Sequence, residues 1–273
     1  MGSLLVFFSL TYLVSWTIWI AAVLITGGSA SPSDLTSLSG LIFLLGTVAP
    51  SLIALGITAR AGGRPATLSL LGRIGKWPAE ARWYVFAVGY MASIKIAAAL
   101  LRHIATGAWP PFGQTPWYVV AAAVVASTPV QAGEEIGWRG YALPGLAEHL
   151  GLGAASIVLG VIWACWHLPF FFIPGSDNAG QSFPVFLLAV SALSVAMAWL
   201  YWRTNESLLL AMLMHAATNN TAGLIQSPVS AATNPFMVRP SPIAWLTAAL
   251  LWVCAAYFLV RMRGAILRGG SGT

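Results

Sequence analysis

Apolar residues fill long, nearly unbroken runs, and polar residues gather in short stretches between them. A helix needs about 20 mostly apolar residues to cross the hydrocarbon layer of a bilayer. With that length as a ruler, eight spans are predicted: 4–26, 38–59, 83–104, 117–143, 153–173, 182–202, 207–225 and 242–262. The fourth is the least regular, because Glu134, Glu135 and Arg139 interrupt it. No repeat or low-complexity tract divides the chain, so residues 1–273 are expected to form one membrane domain. The first run could be a secretory signal, but Met1-Gly2-Ser3 carries no Lys or Arg. Its apolar stretch also exceeds the usual ~7–15 residues of such signals. It is expected to remain as a helix.

Composition agrees. Hydrophobic residues make up 58% of the chain and charged residues only 7%, against about 25% charged in an average soluble domain. Soluble enzymes, coiled coils, disordered chains and nucleic-acid binders are thereby excluded, and the fold class is an all-α polytopic membrane protein. The formal charge of +6 is spread between the apolar runs, where basic residues report topology rather than a nucleic-acid partner. With the N-terminus placed in the cytoplasm, the inner side receives Arg60, Arg64, Arg73, Lys76, Arg82, Arg139, Arg203, Arg261, Arg263 and Arg268. The outer side receives Arg102 and Arg239. Both termini are therefore expected to be cytoplasmic. The longest inner connection, 60–82, mixes apolar and basic residues, and reads either as a segment lying on the membrane surface or as an ordinary charged loop. The outer stretch 226–241 reads as an irregular loop. Cys165 and Cys254 lie inside apolar runs and are expected to stay free thiols.

Ionisable groups in the middle of a span need internal partners or a wet cavity, since each costs about 2.5–3.5 kcal/mol on insertion scales. The fourth span carries Glu134-Glu135-x-x-x-Arg139, a pattern expected roughly 0.004 times by chance at this composition. Glu135 and Arg139 are four apart and can pair on one helix face. Glu134 points about 100° away, which frees it for chemistry, and Pro129 is placed to kink the helix. The fifth span carries Trp163-x-x-x-His167, and the seventh His215-x-x-x-Asn219 with Asn220 beside it. His215 and Asn219 are one turn apart and share a face.

A carboxylate, two imidazoles and an amide inside a membrane suit hydrolysis. Glu134 could take a proton from water with His167 sharing it, and His215 and Asn219 could hydrogen-bond a developing oxyanion. In the alternative version a divalent metal such as zinc, held by Glu134, His167 and His215, carries the attacking water. No compact metal motif is present, and the residues do not require a cofactor. Serine and cysteine nucleophile motifs are also missing. His103 and His149, at span edges, need only interfacial solvation.

These three motifs, in this order on the fourth, fifth and seventh spans, resemble the CPBP intramembrane proteases, the family of the CAAX prenyl proteases type 2 and the bacteriocin-processing or immunity proteins. The resemblance covers residues of about 117–225. The family often has Phe where this chain has Trp163. The resemblance implies about eight helices around an intramembrane catalytic cavity. Glu134 and His167 would activate water, His215 and Asn219 would bind the oxyanion, and Glu135 and Arg139 would support the site. It implies an intramembrane endopeptidase acting on a membrane-associated peptide or protein, with the metal-free and metal-bound mechanisms both open. Two alternatives stand beside it. One is a proteolytically silent scaffold or immunity-like protein of the same fold. The other is a transporter using Glu134 and the histidines as a proton relay, which the lack of repeat symmetry disfavours.

Overall fold

Without water to bond, a backbone in hydrocarbon must close its hydrogen bonds within the segment, so each apolar run folds as helix. The computed structural model describes residues 1–26, 37–225, 234–238, 242–265 and 267. Helix α1 spans Gly2–Ile25, α2 Leu38–Thr47, α3 Ala49–Gly72 and α4 Ala81–Thr106. Helix α5 covers Trp117–Ser127 and leads into a short α6, Ala132–Glu135. Helices α7 (Leu143–Trp166), α8 (Phe183–Arg203), α9 (Leu208–Thr221) and α10 (Pro242–Arg261) follow. Extended structure among the described residues is limited to one bridge, Phe112 to Ile225.

The all-α membrane architecture is as expected, but the count of eight spans is not reproduced. Among the described residues, five helical runs are long and apolar enough to cross a membrane, and the pair Leu38–Thr47 and Ala49–Gly75, bent by 40°, makes a sixth if counted as one span. The expected fourth and fifth spans form one helical run, Trp117–Trp166. It turns at Gly151, whose φ of 73° is open to glycine. Helix α9 has only 14 residues. The stretch 60–82, expected as a loop, is largely helical: α3 runs through Arg60 and Arg64, kinks at Gly63 and restarts ahead of Pro65. The expected loop 226–241 lies mostly outside the described residues. Cys165 and Cys254 are free thiols.

Loops assigned to a common side do meet. At one end, Lys76 Nζ donates to the Asn205 carbonyl, and Arg73 lies 3.5 Å from Glu206. At the other, the Gly113 N–H donates to the Leu224 carbonyl. Between these ends α8 packs along α7 and α10, α4 packs along α9, and α1 leans on α2 and α3.

Helix α1 anchors the end of α7 through side chains. Phe170 N–H turns to the His167 carbonyl as the chain tightens at Pro169. The Trp166 carbonyl, released from its usual i+4 donor, accepts from Trp16 Nε1 at 2.9 Å. Tyr12 donates to the Ile162 carbonyl at 2.5 Å. Helices α7 and α8 approach so closely at Gly160 that an added Cβ would lie 2.6 Å from Ser191 Cα. Gly160→Ala is therefore expected to destabilise the fold by about 1–3 kcal/mol, read as a lower thermal midpoint in detergent. An unchanged midpoint would contradict this contact.

Candidate active site

The segment after α5 departs from regular helix because its sequence leaves it little choice. Pro129 cannot donate to the preceding turn and opens a 3-10 turn, Pro129–Gln131. After α6 the helix widens into a π-helix, Ile136–Ala142. Such turns leave backbone groups in need of partners, and they recur at functional sites. Ser51 of α3 supplies two, donating to the Ala132 carbonyl at 2.6 Å and accepting from the Gly137 N–H at 3.3 Å. Arg73 braces the far end, donating to the Gly140 carbonyl at 3.1 Å and to the Tyr201 hydroxyl at 2.8 Å.

Within this frame Glu135 and Arg139 pair as the spacing predicted. Both are 0% exposed, and Arg139 Nη1 donates to Glu135 Oε1 at 2.7 Å. The same oxygen receives His215 Nδ1 from α9 at 2.8 Å. Arg139 Nη2 also reaches Met197 Sδ on α8 at 3.2 Å. One buried carboxylate thus ties the π-helical segment to α9, while its arginine touches α8.

Glu134 turns the other way, as expected, but its partner is Trp163 rather than anything on its own helix. Trp163 Nε1 donates to Glu134 Oε2 at 2.9 Å. The indole is the hub of the site. Arg139 stacks over it at 4.1 Å, and His167 and His215 meet its ring edge-on at 5.7 and 5.1 Å between centroids. Glu134 and His167 both border this indole, the first through its hydrogen bond and the second through ring contact.

The hydrogen bonds also fix the ring nitrogens. His167 Nδ1 lies 2.8 Å from the Trp163 carbonyl, which can only accept, so Nδ1 carries the proton. A neutral His167 therefore presents the Nε2 lone pair. His215, with Nδ1 donating to Glu135, is arranged the same way. To donate from Nε2 as well, it would have to carry a second ring proton.

Asn219 is not drawn into this cluster. It is exposed on the wall of a cavity between α5 and α9, one turn beyond His215. Asn220 donates to Ser127 Oγ and to the Ala216 carbonyl, both at 2.9 Å. Sequence reasoning missed the Trp163 N–H, Arg73 and Met197. An indole N–H inside a span was the available signal for the first, since it needs an acceptor. Neither of the others left one.

Both imidazoles present Nε2 with Nδ1 anchored, which would suit metal ligation. Yet among the described residues no three His, Cys, Asp or Glu side chains are disposed to hold an ion. Glu134, His167 and His215 in this arrangement do not fit the metal-bound alternative. Breaking the buried pair is the sharper test of the supporting residues. Arg139→Met leaves the Glu135 charge without its arginine and is expected to cost about 3–5 kcal/mol, seen as a fall in thermal midpoint. Replacing both, Glu135→Leu with Arg139→Met, should recover much of that loss. Equal midpoints for all three proteins would refute the linkage.

Comparison with known proteins places this geometry. Residues 112–221 match the family model described as type II CAAX prenyl endopeptidase Rce1-like. The CAAX prenyl protease 2 of Methanococcus maripaludis is 29% identical over 124 residues, 43% of this chain and 44% of the relative. The matched stretch thus spans less than half of the curated relative. Residues 112–221 contain Glu134, Trp163, His167, His215 and Asn219, so the resemblance carried by the motifs is borne out over that stretch, which is similar to the type II CAAX prenyl endopeptidases and lies within a multi-pass membrane protein.

Proposed function

We propose that the protein is an intramembrane endopeptidase that hydrolyses a membrane-associated polypeptide with water activated by Glu134 and His167. The observation that carries this reading is the arrangement around Trp163. A carboxylate and an imidazole with its Nε2 lone pair outward flank one buried indole. Such a pair can accept both protons of one water, leaving an oxygen lone pair aimed at a carbonyl carbon. Glu134 takes the proton and the hydroxide adds to the scissile carbonyl. Glu134 then returns the proton to the departing amine as the C–N bond breaks. The developing oxyanion is met by the Asn219 amide and by His215, which donates from Nε2 when both ring nitrogens carry a proton. Every step uses protein groups alone. The match to CAAX prenyl endopeptidases supports peptide hydrolysis, and the basic end of the bundle, with Arg73 and Lys76, is assigned to the cytoplasm.

The test compares newly formed protein termini in membranes from cells expressing wild type or Glu134→Gln at matched levels. Removal of a general base is expected to slow cleavage by about 10²–10⁴-fold, so a set of termini should vanish in the variant. Coincident termini would overturn the reading in favour of a scaffold of the same fold. On a substrate found this way, Asn219→Ala is expected to lower kcat by about 10²–10³-fold. A kcat equal to wild type would remove Asn219 from the oxyanion site.

A further inference from the structure

At the basic end of the bundle, arginines from three helices come level. Arg82 lies in the first turn of α4, Arg203 closes α8, and α10 ends at Arg261. The first two stand against the indole of Trp83, with Arg82 Cζ 4.8 Å and Arg203 Cζ 5.5 Å from the ring centroid. Arg203 also lies 5.7 Å from the Trp202 ring. One turn inward, an aromatic layer fixes the register of all three helices. Phe258 of α10 stacks on Trp199 of α8 at 4.6 Å and meets Phe86 of α4 at 5.9 Å, and Trp199 packs on Trp83 at 5.6 Å. Each of Phe86, Trp199 and Phe258 stands about one turn from the arginine of its own helix, which sets Arg261 beside the other two.

Like charges gathered in this way repel unless an anion joins them. The protein supplies little of that charge. Glu80 pairs with Arg82, but both side chains are more than half exposed, and pairs of that kind are weak. Among the described residues, neither Arg203 nor Arg261 has a carboxylate within ion-pairing distance. Stacking leaves the arginines able to bind. A guanidinium over a ring offers its face and keeps its in-plane N–H donors, whose fork matches a phosphate. The surroundings identify the kind of anion. One turn inward of Arg82, on the same side of α4, Val85 is 71% exposed, and Tyr257, one turn before Arg261, is 58% exposed. Cationic side chains with bare apolar ones directly inward suit a ligand that is anionic at one end and hydrocarbon at the other. Soluble phosphate or an acidic peptide would leave Val85 and Tyr257 uncovered.

We propose that Arg82 and Arg203, with Arg261 beside them, bind the phosphate of an anionic glycerophospholipid whose acyl chains run along α4 and α10 past Val85 and Tyr257. The headgroup neutralises the three helix ends and holds α4, α8 and α10 together at this end of the bundle. This binding is independent of the endopeptidase reading above, because none of its residues belongs to the cluster around Trp163.

The test measures binding of phosphatidylglycerol and of zwitterionic phosphatidylcholine to the full-length protein in neutral detergent by native mass spectrometry. Wild type is expected to prefer phosphatidylglycerol by roughly tenfold or more. Arg82→Gln combined with Arg203→Gln should weaken phosphatidylglycerol binding about 30-fold and leave phosphatidylcholine unchanged. Equal phosphatidylglycerol affinity in wild type and a folded double variant would overturn the proposal. A second arm needs no variant and decides the matter if the double variant fails to fold. Arginines of the wild type in phosphatidylcholine nanodiscs are modified with phenylglyoxal, and the modified positions are read by peptide mass spectrometry. Including phosphatidylglycerol should slow modification of Arg82 and Arg203 roughly tenfold, with much less effect on Arg60 and Arg64, which are exposed on α3. Equal slowing at all four would reduce the effect to diffuse surface charge and overturn the site. Equal protection by inorganic phosphate would overturn the assignment to a lipid.

Discussion

A carboxylate in hydrocarbon must be matched by charge and hydrogen bonds, and in this protein that requirement falls on Glu135. Its Oε1 accepts from Arg139 and from His215, and neither the carboxylate nor the guanidinium has any exposed surface. Arg139 in turn lies on the face of Trp163 and against Met197. Four parts of the bundle, the π-helical segment, α7, α8 and α9, therefore converge on one ion pair. Removing one partner of such a pair costs far more than the pair contributes when intact. Its value lies in holding a single arrangement. The braces from Ser51 and Arg73 serve the same end, since a π-helix left to itself would relax and carry Glu135 away from His215.

Adjacent carboxylates with opposite surroundings have divided their tasks. Glu135 commits one oxygen, Oε1, to two basic groups, and its Oε2 is buried beside them without a hydrogen bond. Glu134 receives one hydrogen bond from a neutral indole and stays 6% exposed, which leaves an oxygen for a proton in the proposed reaction. Environment sorts two identical side chains into separate roles. Trp163 enforces the division, standing between Arg139 with His215 on one side and Glu134 with His167 on the other and touching all four. A phenylalanine, common at this position in the resembled family, would keep the ring but give Glu134 no donor.

The sequence carried this site unevenly. Glu135 with Arg139 was readable because helical spacing alone dictates it. The independence of Glu134 followed from the 100° step between neighbours. His215 could be placed on a face, but not against Glu135, since that contact joins residues 80 apart in the chain. Trp163 was read as an aromatic, and its N–H proved to be the link to Glu134. Span counting matched the helices where runs were uniform and was not confirmed from Trp117 to Trp166, where hydropathy cannot distinguish two spans from one bent run. A π-helix has no local sequence signature of its own, so the widened turn over Ile136–Ala142 was hidden.

The side-chain bonds from α1 carry a consequence for biogenesis. Tyr12 and Trp16 donate to carbonyls 150 residues further along the chain. At synthesis rates of about 5–20 residues per second, those acceptors leave the ribosome roughly 8–30 s after their donors. During that interval a helix already inserted must keep a phenol and an indole satisfied by its own carbonyls, by headgroups or by an insertion factor. Only when the seventh segment arrives can α1 close on it, and His167 takes its final position from that closure. Helix α1 thus settles only after α7 has been made, and the backbone that carries His167 is held in place only from that point.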